Sequence, residues 1–335
     1  MKKIWLTSVF ALSLSAVACA ESAPEAEIET AAAETGSAAA DAASETGTVT
    51  ETVSQSETQT EAVEEEAVAA VEFPDEAWRE VPQDRLLYIE TDHGMVIVEL
   101  APEFTPLHVE RMTTLANERF YDFLVWHRVI DGFVAQGGGS RTNPNHRTEL
   151  PPVPGEFTVR RDPNEITIME TQDRVINERS NPAMARAGFW NGFPAGTQAS
   201  ALAGITADGR VESWLLHCVG AAAMARTNDP NSAGSQFYIT RGNAEHLNAQ
   251  YTVWGRVRAG QDAVDSIAVG TMGQDIGFQP DTIRSMRVGS DDGFDGQVTV
   301  EVVDTTSEAF ASWLEPYTVQ GTDICEIDVP VRITE

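Results

Sequence analysis

The residues best suited to chemistry in this 335-residue chain lie in two runs. The first is Phe120-Tyr121-Asp122-Phe123-Leu124-Val125-Trp126-His127-Arg128-Val129-Ile130-Asp131-Gly132-Phe133-Val134-Ala135-Gln136-Gly137-Gly138. The second starts roughly 90 residues on, as Gly220-Ala221-Ala222-Ala223-Met224-Ala225-Arg226-Thr227-Asn228 and then Ser235-Gln236-Phe237-Tyr238-Ile239. Arginine is always charged and presents a rigid fork of donors. Held in place, Arg128 can therefore favour a state in which a lone pair develops beside it. Phe133, Val134 and Tyr238 supply apolar walls, and Gln136 and Gln236 can grip backbone groups or orient the guanidinium. Taken alone, the first run also fits a core strand of aromatic and β-branched residues whose arginine is solvated or ion-paired. Other chemistries are poorly served. The six histidines include no His-x-x-x-His pair and Cys218 lies far from Cys325, so no metal site is expected. Gly137-Gly138-Gly139-Ser140 lacks the lysine of a phosphate loop, and no Gly-x-Ser-x-Gly elbow occurs.

Together and in this order, the two runs resemble the signature blocks of the cyclophilin family of peptidyl-prolyl cis-trans isomerases. The resemblance implies catalysis of rotation about X-Pro bonds, whose amide resonance sets a barrier of ~18–20 kcal/mol. No bond is broken, so neither cofactor nor metal is called for. A donor aimed at the prolyl nitrogen helps mainly in the twisted transition state, where that nitrogen regains its lone pair. By resemblance Arg128 is the catalytic arginine. Phe133, Val134, Tyr238 and Leu247 line the proline pocket, His127 and Gln136 flank it, and Ala225 and Arg226 run alongside the substrate backbone with Gln236 close by. The chain departs from the commonest pattern in having Val134 for methionine, Tyr238 for phenylalanine, Tyr251 for a pocket histidine and His246 for a tryptophan tied to cyclosporin affinity. The first two exchanges keep apolar character; the last removes an expectation of tight cyclosporin binding but not of isomerase activity.

Composition adds a location. A net charge of −30 argues against nucleic-acid partners. Met1-Lys2-Lys3 and the apolar run from Ile4 to Val17 read as a signal peptide over 1–18, too short for a comfortable membrane span. Ala16-Val17-Ala18-Cys19 resembles a lipobox, which makes Cys19 the lipidated N-terminus of a membrane-anchored protein of the periplasm; the alternative is cleavage near Ala18 or Ala20 to a soluble chain. From Ala20 to Glu80 the chain holds 17 acids and one arginine with almost no large apolar side chain before Phe73. Such a composition reads as a disordered tether, residues 19–80, that holds the folded part off a membrane; an acidic binding tail is the other option. In an oxidising compartment Cys218 and Cys325 are expected to form a disulfide, set against a buried thiol at Cys218 and a free Cys325.

The elements that must position these residues follow from periodicity. Leu86 to Thr91 and Met95 to Leu100 alternate about Asp92-His93-Gly94 as a hairpin. Thr105 and Pro106 open a helix with Val109, Met112, Leu115 and Ala116 on one face. Strands are expected at Val129 to Gln136, Gln236 to Thr240, Thr252 to Arg258, Ile283 to Val288 and Val298 to Val303, with a short helix at Gln261 to Ala268. The count suits the family's mainly β fold, a closed eight-stranded antiparallel barrel capped by two helices, here over residues 81–304. Val175 to Glu178 resembles the family segment before the second block. Arg179 to Leu215 is an insertion with Phe189, Trp190, Phe193 and Trp214, expected either to line or lid the groove or to pack as padding. It also contains Ala183-Met184-Ala185-Arg186, an echo of Ala223 to Arg226. An extension over 305–335 is expected to dock on the barrel, with a helix over Ser307 to Glu315 capped by Thr306 and ended by Pro316, and a strand near Asp323 to Val329. The resulting expectation is an isomerase acting on X-Pro-containing exported polypeptides. The rivals are a catalytically weak binding module and an envelope chaperone that binds unfolded chains through the insertion's aromatics.

Overall fold

A computed structural model describes residues 72–139, 148, 150–169 and 185–334. The signal run, Cys19, residues 20–71, Val175 to Glu178 and the start of the insertion, with Ala183 and Met184 of the echo, lie outside the described residues. In chain order the strands are β1 (Trp78–Glu80), β2 (Leu86–Thr91), β3 (Gly94–Leu100), β4 (Leu124–Val125), β5 (Arg128–Ile130), β6 (Val134–Gly137), β7 (Val159–Arg161), β8 (Thr167–Met169), β9 (Ala185–Trp190), β10 (Phe193–Gln198), β11 (Val211–Leu215), β12 (Ala221–Met224), β13 (Phe237–Thr240), β14 (Val253–Ala259), β15 (Gly270–Thr271), β16 (Thr282–Val288), β17 (Thr299–Val303) and β18 (Val331–Thr334). The α-helices are α1 (Pro106–Asn117), α2 (Gln261–Asp265) and α3 (Glu308–Gln320).

Ten antiparallel strands form the main sheet in the order β15-β5-β6-β13-β12-β14-β3-β2-β16-β4. Where a closed eight-stranded barrel is expected, the sheet has ten strands, and no ladder joins its edges among the described residues. Its two ends are instead tied by the chain, because only Trp126 and His127 separate β4 from β5. The sheet therefore curls into a half-barrel. Val129 to Gln136 is two strands rather than one. Gly132 takes φ +62° between them, a conformation open to glycine at little cost, and Gly242 lies so close that a Cβ there would meet the Gly132 carbonyl oxygen at 1.9 Å.

Period-two alternation sends Leu87, Ile89, Val96 and Val98 inward, where they meet Met112 and Leu115 of α1, Val264 of α2, Trp126, Phe237 and Trp254. Thr105 precedes α1, but its hydroxyl donates to the Ala101 carbonyl instead of capping. The carboxylate of Glu156 supplies the cap, accepting from Leu107 N at 3.2 Å and His108 N at 3.0 Å.

The other face of β2 and β3 is not exposed. Leu86, Tyr88 and Ile97 lie under β17, α3 and the following turn, against Val300, Val302, Phe310, Leu314, Ile324 and Ile327. Several readings change here. Val298 to Val303 does not join the main sheet; β17 pairs with β1 and β18 in a separate three-stranded sheet. The folded part thus begins before residue 81, since Trp78–Glu80 is a strand and Phe73 packs 5.9 Å from Trp78 and 6.0 Å from Trp313. Helix α3 is capped by Ser307, whose Oγ accepts from Phe310 N at 3.1 Å, and runs through Pro316 to Gly321 in the left-handed region. Pro316 withholds an N–H only from the carbonyl of exposed Ser312, and Phe310 and Leu314 hold the helix down on either side of that gap. Finally, Asp323 to Val329 is not a strand. Asp323 Oδ1 accepts from Cys325 N at 2.8 Å and folds Ile324–Glu326 into a 3-10 turn, so the strand starts at Val331.

The insertion supplies β9, β10 and β11 to a second sheet, β7-β11-β10-β9-β8, whose β7 and β8 come from the segment before it. Its centre is a two-residue hairpin in which Trp190 pairs with Phe193 across Asn191-Gly192, both at positive φ. Arg258 Nη1 donates to the Gly192 carbonyl at 3.0 Å while its Nε donates to Glu99 at 2.7 Å, and Arg79 reaches both Glu99 and the Asn191 carbonyl. This buried set bolts the hairpin to β3, β14 and β1. Cys218 and Cys325 are joined by a disulfide with Cα atoms 5.0 Å apart, tying the extension to the segment between β11 and β12.

Candidate active site

Adjacent strands bring the two signature runs together. Arg128 of β5 faces Gln136 of β6, which in turn faces Tyr238 of β13, which faces Ala223 of β12. Arg128 Nη1 donates to Gln136 Oε1 at 3.2 Å, and Gln136 Nε2 donates to Gln236 Oε1 at 3.0 Å. A guanidinium can only donate, so Gln136 must present its oxygen to Arg128 and its amide nitrogen to Gln236. The relay fixes the orientation of a half-buried arginine. On its other side β5 pairs with β15, Arg128 opposite Thr271, and the carbonyl of buried His127 accepts from Met272 N at 2.9 Å.

The apolar residues divide into two layers. Phe133 and Tyr251 are half-buried and remain in reach of a ligand. Phe133 stacks on exposed His246 with centroids 5.5 Å apart. Val134 and Tyr238 are wholly enclosed, and Leu247 and Ala225 nearly so. The resemblance places Val134, Tyr238 and Leu247 in the pocket lining and Ala225 beside the substrate backbone; in the structure all four are buried and form a foundation beneath it. They share a cluster with Phe104, Ile166, Trp190, Phe193 and Leu215, so the insertion supports the pocket from behind.

A tyrosine hydroxyl in such a foundation needs a partner. His217 provides it: Nε2 lies 3.1 Å from the Tyr238 hydroxyl and Nδ1 3.2 Å from Asn248 Oδ1. An amide oxygen accepts only, so Nδ1 carries the proton and Nε2 accepts from the tyrosine. Burial pushes the imidazole down to about 4, and pushes the Tyr238 phenol well up. His217 and Asn248 are absent from the residues singled out by sequence. The signal that could have found them is the tyrosine in an apolar position, which demands a polar neighbour.

Ala225 N donates to the Gln236 carbonyl at 3.0 Å, which places Arg226 at the far edge of the relay. Its Nη1 donates to Thr227 O at 2.8 Å and its Nη2 to Gln250 O at 3.0 Å. The guanidinium carbon lies 4.1 Å from the Tyr251 ring centroid and 5.5 Å from that of Phe157.

The family model for cyclophilin type peptidyl-prolyl cis-trans isomerase/CLD matches residues 86–288, more than half of the chain. The chain belongs to this family. As a cyclophilin it is a peptidyl-prolyl cis-trans isomerase. It is 29% identical over 212 residues to a probable peptidyl-prolyl cis-trans isomerase of Brucella suis, covering 62% of this chain and 84% of that one. It is 28% identical over 192 residues to peptidyl-prolyl cis-trans isomerase B of Bacillus subtilis, covering 56% and 94%. The crystal structure of the cyclophilin AquaCyp293 from Hirschia baltica matches with a TM-score of 0.68 at 35% identity, covering 79% of this chain and 98% of that one. That neighbour spans far more of the chain than the family model does, so its likeness extends beyond the signature blocks.

Proposed function

We propose that this cyclophilin accelerates X-Pro isomerisation in exported polypeptides, with Arg128 stabilising the twisted amide. The observation that carries the reading is the Arg128–Gln136–Gln236 relay beside Phe133. It presents an oriented cation next to an apolar surface, and that pairing favours a developing lone pair on a ring nitrogen. Phe133 and Tyr251 meet the proline ring, while Ala225 and Gln236 lie along the peptide. The proposed location rests on the signal run, the acidic segment after it and a disulfide suited to an oxidising compartment; Cys19 is proposed as the lipid-bearing residue. A chaperone reading based on the insertion's aromatics loses its support, because Phe189, Trp190, Phe193 and Trp214 are all buried.

The test is NMR exchange spectroscopy on an Ala-Pro peptide with wild type and Arg128→Ala. A ~100-fold fall in kcat/KM, about 2.7 kcal/mol, is expected with an unchanged circular dichroism spectrum. Near-native rates in the variant would remove Arg128 from the mechanism. Location is tested separately: Cys19→Ser should move the protein out of the membrane fraction, and a wild-type chain that is already unmodified and soluble would refute the anchor.

A further inference from the structure

Arg226 is a half-buried cation with an unusual set of neighbours. Two aromatic rings, Tyr251 and Phe157, flank its guanidinium, and the two bonds it makes go to backbone carbonyls. No carboxylate of the described residues lies in ion-pair range of it, in a chain whose net charge is −30. Guanidinium has five N–H donors, so two carbonyls leave three of them over, and Nε is buried without an acceptor. Many arginines of the folded part are paired closely with acids, Arg79 and Arg258 with Glu99, Arg160 with Asp208, Arg287 with Asp122 and Arg332 with Glu301, whereas Arg111, like Arg226, bonds backbone carbonyls but has no aromatic ring against it among the described residues. Arg226 is held in place but not neutralised.

Its position is beside the pocket. Tyr251 stands edge-on to the enclosed Tyr238 at 6.3 Å, so Arg226 and Tyr251 form a wall that rests on the pocket's buried foundation. Three strand spacings, roughly 14 Å, separate the strand of Arg128 from β12, whose chain leads directly to Ala225, and an extended peptide crosses that distance in about four residues. We propose that Arg226 is a specificity-determining residue that selects substrates carrying a carboxylate within about four residues of the proline. The stacked rings fix the plane of the fork, and the remaining Nη hydrogens take a carboxylate oxygen in a charge-assisted bond, the enclosed Nε being out of a ligand's reach. This inference rests on the isomerase reading of the same groove.

The experiment scans a capped Ala-Ala-Ala-Pro-Ala-Ala-Ala peptide with Glu or Gln at each alanine in turn, using the full chain. NMR exchange gives kcat/KM, and chemical-shift titration gives binding without requiring turnover. At one position or more, Glu should exceed Gln by about threefold or more, a ratio that shrinks as salt rises. Arg226→Gln should bring the ratio to near one whatever it does to the all-alanine peptide, and Arg226→Lys should restore part of it. A purely structural role would lower all peptides alike. Equal Glu and Gln values at every position, or a preference that survives Arg226→Gln, would overturn the proposal. If Arg226→Gln does not fold, the salt dependence of the wild-type ratio decides: a ratio indifferent to salt overturns it. Binding with no turnover of any peptide would break the isomerase reading instead, and the Glu-to-Gln binding ratio would still judge Arg226.

Discussion

Strands β2 and β3 are buried on both faces, but by different means. Inward, Leu87, Ile89, Val96 and Val98 pack among apolar side chains of the sheet, α1 and α2. Outward, Leu86, Tyr88 and Ile97 meet β17, α3 and the tail, and beside them lie Glu99 between two arginines and a disulfide near the end of the chain. The inward face needs hydrophobic side chains of about the right size. The outward face joins pieces that start far apart in sequence, and it uses directional bonds to hold them in a single arrangement. Packing is the stronger source of stability inside, whereas pairing determines which surface meets which outside.

The sharpest way to break this contrast is Glu99→Gln. It leaves Arg79 and Arg258 without their shared anion, with Arg258 wholly buried, and such uncompensated charge costs about 3–5 kcal/mol. Urea unfolding should show a drop of that size; a change under about 1 kcal/mol would mean that the carbonyls of Asn191 and Gly192 suffice to hold the arginines.

Next in size is the crosslink. The joined cysteines are 107 residues apart, and a loop of about 100 residues corresponds to ~4–5 kcal/mol in the chain-entropy model, with 2–4 more typical. The double variant Cys218→Ser, Cys325→Ser should lose stability on this scale while kcat/KM stays within about twofold, since the relay uses neither residue. An equal fall in catalysis would show that the outer face positions the groove through His217.

The effect that is smallest at neutral pH concerns titration. His217 is held at about 4 against an ordinary 6.5, so between these values the unfolded chain binds more protons than the folded one. Stability therefore falls as pH drops from about 6.5 towards 4, by at most about 1.4 kcal/mol per pH unit, and is unaffected by this group above 6.5. His217→Gln should flatten that part of the profile; an unchanged slope would place the titration elsewhere.

The groove was legible because its chemistry is local. Arg128, Phe133 and Gln136 come from one hairpin, and Gln236 and Tyr238 from the next strand, so the two runs name the relay without any knowledge of distant contacts. The outer face was not legible, because each of its parts depends on a partner far off. Trp78–Glu80 sits at the end of an acidic segment, and only β17 makes it a strand. Two signals in the sequence are missed by a reading of alternation alone: the unbroken apolar run Leu86-Leu87-Tyr88-Ile89, which fits burial on both sides, and Asn191-Gly192 between aromatic residues, which fits the insertion's hairpin. Neither signal says what covers the strand or where the hairpin docks. Pro316 misled for a related reason: a helix can pass through proline when the lost bond faces water and neighbouring turns are pinned by tertiary contacts.

The neighbours of β2 in the sheet set a timetable for making the protein. Glu90 pairs with Met95 almost at once, but its other partner, Ser285, lies 195 residues further along. At synthesis rates of about 5–20 residues per second, the open edge of the β2–β3 hairpin waits on the order of 10–40 s for β16 to emerge. Throughout that interval it is a strand edge with apolar side chains on both faces, the form of chain most prone to pair with a stranger. A foldase built on this plan is, during its own synthesis, a client in need of protection.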